Sequence, residues 1–293
     1  MKRVASVGEA MIELSMSMSM SMSNENARVG VAGDTLNTAI YLQRTAPQLT
    51  VDYITCLGSD TFSTRIFDFV GHNGLGNSLI KKVYNKTPGL YAINTTTDGE
   101  RSFTYWRSNS AARNLFMDYD FSVLESFDVL YLSGISMAIL PHKVRISFLE
   151  WLKCSSIKLI FDSNYRPHLW DSIDHAQQIT SALWVRADVS LPSIDDEMLL
   201  FNETEDQVCA RFLATAKTGA LKRGAQGPLS LCGKLKSNYK PAKKVVDTTA
   251  AGDSFNGGYI GALLSGKSQE EALMCGHKLA SKVVQYHGAI IPK

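Results

Sequence analysis

Short apolar runs that end in small or polar residues recur along this chain, with helix-like stretches between them. That alternation constrains the fold more than any other feature. Val4–Gly8 (VASVG), Val51–Asp60 (VDYITCLGSD), Asp128–Ser136 (DVLYLSGIS) and Ile157–Pro167 (IKLIFDSNYRP) read as strands. Thr35–Arg44, Ser63–Asn73 and Lys143–Lys153 read as helices. Parallel strands need long crossovers, usually helical, so the pattern predicts an α/β fold with a mostly parallel sheet covered on both faces. Ligands of such sheets sit beyond the carboxyl ends of the strands. The endings GSD, SGIS and DSNYR are therefore candidate site segments by position alone.

One segment departs from the alternation. Pro88–Arg107 (PGLYAINTTTDGERSFTYWR) is two alternating runs around TTDGE, which predicts a β-hairpin. Side chains two apart on a strand share a face, so Phe103, Tyr105 and Arg107 line up. Such a face is either solvated or able to grip a carboxylate between Tyr105 and Arg107. Ser15–Ser23 (SMSMSMSMS) has a period of two, which suits a strand with one Met face and one Ser face. Identical repeats permit register slips, so this run is expected to be weakly specified.

The bulk properties exclude several classes. The 293 residues allow one large domain or two small ones, and a net charge of +2 with dispersed Lys and Arg gives no basic stripe for nucleic acid. The five cysteines are far apart and form no C-x-x-C, which fits a reducing cytoplasm better than a disulfide framework or a zinc site. The opening MKRVASVGEAMIEL imitates the basic start of a signal peptide, but Glu9 and Glu13 interrupt its apolar run. No apolar run approaches the ~18 residues of a membrane helix. A cytoplasmic protein with neither a membrane nor a nucleic-acid partner is expected.

Two segments compete for the role of phosphate binder. Gly261–Ser268 (GALLSGKS) matches G-x-x-x-x-G-K-S, a pattern that works only between a strand and a helix. Here its first half continues the helical FNGGYIGALL. Gly266 reads as a helix stop, and Ser268 with Glu271 reads as a capping box for the next helix. Asp247–Gly258 (DTTAAGDSFNGG) instead places small residues where a helix begins, near Ala251–Asp253. Unpaired N–H groups there attract anions, and small residues let an anion approach. Asp253 is either a helix cap or a carboxylate placed to take a proton from a hydroxyl beside the anion.

DTTAAGDSF, together with AGDTLNTA, with D-x-N-x-R at Asp162, Asn164 and Arg166, and with K-x-G-x-x-G at Lys222, Gly224 and Gly227, resembles the signatures of the ribokinase-like (PfkB-type) carbohydrate kinases. The resemblance spans nearly the whole chain. It is strongest to the branch that acts on a 2-keto-3-deoxy sugar acid, through GEAMIELS, the hairpin, FDSNYRPHLW and HGAIIP. It implies a ribokinase-like three-layer α/β sandwich over residues 1–293 with a small β-sheet lid, from segments at about 12–32 and 84–109. It implies ATP and Mg2+ as cofactors, a monovalent cation as a further one, and a homo-oligomer formed through the lid.

By the same resemblance, Gly33, Asp34, Thr35, Leu36 and Asn37 would hold sugar hydroxyls. Tyr91, Tyr105, Trp106, Arg107 and Arg166 would surround the acid sugar. Asn164, Arg166, Lys222, Arg223, Gly224, Ala225, Gln226, Gly227, Ala250, Ala251 and Gly252 would hold ATP. Asp253 would be the catalytic base, kept ionised by the helix N-terminus, and Glu197 would act on magnesium indirectly. Four departures from the family pattern stand out. Ala32 and Ala250 replace glycines, Ile194 replaces the Asn of N-x-x-E, and the strand before Lys222 is short.

Overall fold

The computed structural model describes residues 2–17, 27–95, 101–233, 235 and 238–293. In chain order its elements are β1 (Arg3–Val7), β2 (Met11–Ser17), β3 (Ala27–Ala32), α1 (Asp34–Thr45), β4 (Thr50–Ile54), β5 (Cys56–Leu57), α2 (Thr61–His72), β6 (Lys81–Lys82), β7 (Gly89–Thr95) and β8 (Arg101–Trp106). There follow β9 (Val129–Ser133), α3 (Gly134–Ile139), α4 (His142–Cys154), β10 (Lys158–Asp162), α5 (Ile173–Arg186), β11 (Val189–Ser190), α6 (Ile194–Phe201), α7 (Glu205–Thr215), β12 (Ala220–Leu221), β13 (Leu229–Ser230), α8 (Ala251–Leu264) and α9 (Gln269–Val283).

The central sheet has the order β11-β10-β9-β1-β4, and every pairing in it is parallel. Successive strand residues point to opposite faces, and here the two faces feed two cores. Val4, Tyr131 and Ile160 pack with Leu36, Ile40, Tyr259 and Ile260 of α1 and α8. Ala5, Leu130 and Phe161, each one residue away, pack with Phe148, Leu152, Ile179 and Leu183 of α4 and α5. The result is a helix–sheet–helix sandwich, as the alternation predicts. None of the described helices is long and apolar enough to cross a membrane.

A second sheet has the order β3-β2-β7-β8. The hairpin pairs Leu90 with Trp106 and Tyr91 with Tyr105. β2 runs parallel to β7 and antiparallel to β3. The Ser-Met run enters β2 only as far as Ser17, and its remainder lies outside the described residues, as does the hairpin tip.

Two readings sharpen. The run Asp128–Ser136 is extended only to Ser133, because the Ser133 hydroxyl accepts from the Ser136 N–H and closes a capping box that starts α3. The short stretch before Lys222 still extends the central sheet. Gly219 bridges Ser190 and Lys222 bridges Ser193, both parallel, and the Lys222 N–H donates to the Pro192 carbonyl at 2.8 Å. The GALLSGKS segment is a helix end and restart: α8 runs to Leu264, Gly266 has φ +81°, and Ser268 forms a capping box with Glu271.

Candidate active site

The carboxyl ends of the central strands open into a cleft of ≈ 930 Å³. Its geometry begins with glycines on α8. A Cβ on Gly257 would lie 2.5 Å from Tyr41 Cβ and 2.8 Å from the Thr38 carbonyl oxygen, and one on Gly261 would lie 2.8 Å from Thr45 Cβ. Hydrogens in place of side chains therefore let α1 and α8 touch backbone to backbone. That contact carries Asn37 to Asp253, whose Oδ2 accepts from Asn37 Nδ2 at 2.9 Å. Thr38 Oγ1 donates to the Asp253 carbonyl at 3.3 Å. Gly257→Ala is expected to force these helices apart, lowering stability by about 1–3 kcal/mol in urea denaturation and reducing turnover through the displaced Asn37.

Asp253 lies in the first turn of α8, where no side-chain cap bond is made. The capping role is thus left aside by the geometry. Ala250, just before, takes the left-handed conformation at φ +58°, which a glycine would adopt without strain. Lys222 reaches the same end of the cleft. Its Nζ lies 2.7 Å from Asp162 Oδ1 and 3.3 Å from Asn256 Oδ1, and Asn256 donates to Asp162 Oδ2 at 2.6 Å. Asp34 accepts from Asn164 Nδ2 at 3.1 Å and from the Ser133 hydroxyl.

Three carboxylates, Asp34, Asp162 and Asp253, thus line one cleft together with the Lys222 ammonium. Burial pushes the Asp253 carboxyl up to about 8, and the Asp34 charge adds to the rise; the Asn37 hydrogen bond and Lys222 offset part of it. Burial also raises Asp34. Burial therefore favours the protonated form, opposite in direction to the expectation that the helix N-terminus keeps Asp253 ionised.

The second sheet supplies Met11, Tyr91, Phe103 and Tyr105 to the cleft, and Arg107 follows directly after β8. Tyr91 and Tyr105 have ring centroids 5.6 Å apart, and His168 lies 5.8 Å from Tyr105. The shared face read from the hairpin is therefore a cleft wall. Arg107, however, is buried in an ion pair with Glu9. Arg166 is more available, half-exposed and 3.4 Å from Asp196.

Gly33, Asp34, Asn37, Tyr91, Tyr105, Arg107, Asn164, Arg166, Lys222, Arg223, Gly224, Ala225, Ala250, Ala251, Gly252 and Asp253 all line the cleft. Six expected residues do not. Thr35 is fully buried with its hydroxyl 3.2 Å from Tyr53 Oη, and Leu36 belongs to the core, because α1 turns them away from Asn37. Trp106 points to the other face of β8 and is exposed. Gln226 and Gly227 are absent from the wall, and a Cβ on Gly227 would meet the Tyr239 side chain. Glu197 is fully buried against Arg211, with Oε2 3.0 Å from Nη2, and burial pushes its carboxyl up to about 7.

Other residues take part without having been anticipated. Glu9 balances Arg107, and Glu13 accepts from the Tyr91 hydroxyl. A signal for both existed: two acids inside an apolar run are either exposed or paired. Asp195 and Asp196 line the cleft beside Glu197, where the rotation of ~100° per helical residue turns the third acid of this run into the interior.

The family model described as pfkB family carbohydrate kinase matches residues 1–293. The chain is 40% identical over 309 residues to the 2-dehydro-3-deoxygluconokinase of Escherichia coli K12, covering 100% of this chain and 98% of that one. It is 41% identical over 307 residues to the enzyme of the same name from Dickeya dadantii, covering 99% and 97%. The crystal structure of ribokinase from Thermotoga maritima superposes with a TM-score of 0.75 at 24% identity, covering 98% of this chain and 94% of that one.

Proposed function

This chain belongs to the pfkB family of carbohydrate kinases, and from that premise we propose that its cleft transfers the γ-phosphoryl group of ATP to the 6-hydroxyl of 2-keto-3-deoxygluconate, giving 2-keto-3-deoxy-6-phosphogluconate. It is an ATP-dependent sugar kinase. The observation that carries the reading is the carboxylate of Asp253, half-buried in the first turn of α8 where it lines the cleft, and held by Asn37. The full-length similarity to two 2-dehydro-3-deoxygluconokinases supports the substrate.

Phosphoryl transfer asks mainly for positioning and charge stabilisation. Asp253 would take the proton of the attacking hydroxyl. The N–H groups at the head of α8 and the Lys222 ammonium would stabilise charge on the transferred group. Asp34 and Asn37 would hold sugar hydroxyls, and Tyr91, Tyr105 and Arg166 would contact the acid end. Asp162, Asp195 and Asp196 offer the oxygen ligands that Mg2+ prefers, and Asp162 stands beside Lys222, so the residues present fit a magnesium–ATP chelate. Bound there, the ion would neutralise phosphate charge. The second sheet would close over the sugar as a lid and exclude water. Exposed Trp106 on its outer face supports pairing with the lid of a second copy.

The Glu9–Arg107 pair favours one second reading, a neutral sugar as acceptor, because this arginine already has its carboxylate. A coupled ADP-release assay with 2-keto-3-deoxygluconate, gluconate and fructose separates the two. We expect kcat/KM to be highest for the deoxy-keto acid; turnover of fructose alone would replace that substrate with a neutral one.

A further inference from the structure

We propose that His142, Asp171 and His175 form a second cation site, outside the cleft, for a borderline divalent transition-metal ion such as Zn2+, Co2+ or Ni2+. Among the described residues, each of the three offers one ligand atom, and these atoms all lie within 4.8 Å of one another. The imidazoles face each other with centroids 4.9 Å apart and planes tilted by 31°. His175 Nδ1 lies 3.9 Å from Asp171 Oδ2, too far for a hydrogen bond, and it is buried with no hydrogen-bond partner of its own.

The fold holds these groups from three directions. His142 is the first residue of α4, and His175 lies in the first turn of α5. Ser172 caps α5 by accepting from the His175 N–H at 3.2 Å, which fixes that backbone. Arg145 is anchored on the carbonyls of Met137, Ala138 and Leu140, and its Nη1 reaches Asp171 Oδ2 at 3.3 Å. Oδ2 is the oxygen near both Arg145 and His175 Nδ1, so the exposed Asp171 side chain would turn Oδ1 to the ion while the arginine holds Oδ2, as ligating carboxylates are in turn hydrogen-bonded.

Metal–nitrogen and metal–oxygen bonds of ~2.0–2.2 Å bring ligand atoms to about 3–3.5 Å apart. His142 and Asp171 are exposed, so rotation of their side chains can close the remaining gap. Two imidazoles and one carboxylate select borderline metals over Mg2+ and Ca2+, which take oxygen ligands. None of the three residues lines the cleft, so this site is separate from the magnesium–ATP position. Its consequence is local. Asp171 closes the segment that starts at Asp162 and carries Asn164, Arg166 and His168 into the cleft, so an ion would pin the far end of that segment between α4 and α5.

The test is titration of Co2+ alone into the nucleotide-free protein, followed by visible absorption and calorimetry. It is repeated for His142→Ala and His175→Ala. We expect one equivalent bound in the parent, affinity at least ~10-fold weaker in each variant, and no comparable heat from Mg2+. Activity with magnesium–ATP should be unchanged in both variants, which reports that they fold. Absence of Co2+ binding, or equal affinity in parent and variants, as the exposed thiols of Cys154 and Cys232 would give, would overturn the proposal.

Discussion

Asp253→Asn should fold, lose about 10²–10⁴-fold in kcat, and be more stable than the parent at alkaline pH. The loss follows because the amide cannot accept the proton of the attacking hydroxyl. The stability gain follows from linkage. The folded carboxyl is pushed up to about 8, whereas an unfolded aspartate titrates near ~4. Between those values the folded protein holds a proton that the unfolded chain has released, so stability falls as pH rises through this window. Asparagine removes the term. The gap should reach a few kcal/mol by pH 9 and close toward pH 4, measured by urea denaturation across that range. In the parent, kcat/KM should rise with pH until the free enzyme's carboxyl is ionised near 8. A gap independent of pH would show that Asp253 does not titrate there, and near-parental turnover would remove it as the base.

Arg107→Ala should lower stability by about 3–5 kcal/mol, because it strands a buried carboxylate. The Glu9 side chain has no exposed surface and Arg107 is only 7% exposed, so solvent cannot take over either charge. Removing both charges at once, as Glu9→Gln with Arg107→Met, should recover most of that loss. Thermal melts of the three proteins check the ordering. The kinetic readout is separate: if Arg107→Ala melts like the parent while KM for the acid sugar alone rises, the arginine serves the substrate rather than Glu9.

Much of the site is legible in the sequence. DTTAAGDSF, FDSNYRP and the lysine–glycine turn are contiguous, and each carries its chemistry in local order: a helix start, a strand end, a turn. Rejecting GALLSGKS also needed only local rules, since helical spacing, a stop glycine and a capping box are short-range features. Side-chain direction was less accessible. Thr35 and Leu36 adjoin Asn37 in sequence, yet α1 turns them into the core, and β8 turns Trp106 away from the wall that Tyr105 joins. Contiguity in a motif says which backbone reaches the cleft, and the rotation of the element decides which side chains do.

The sequence by itself determined the strand–helix alternation behind the sandwich, the hairpin, and most of the chemical inventory of the cleft, because periodicity, caps and turn residues act over a few positions. Only the tertiary structure decided charge partners and protonation. Asn37 meets Asp253 across 216 residues, and Glu9 meets Arg107 across 98. Such pairings depend on how closely α1 packs on α8 and β8 on the chain after β1. Desolvation, which sets whether Asp253 carries its proton, exists only once those surfaces have excluded water.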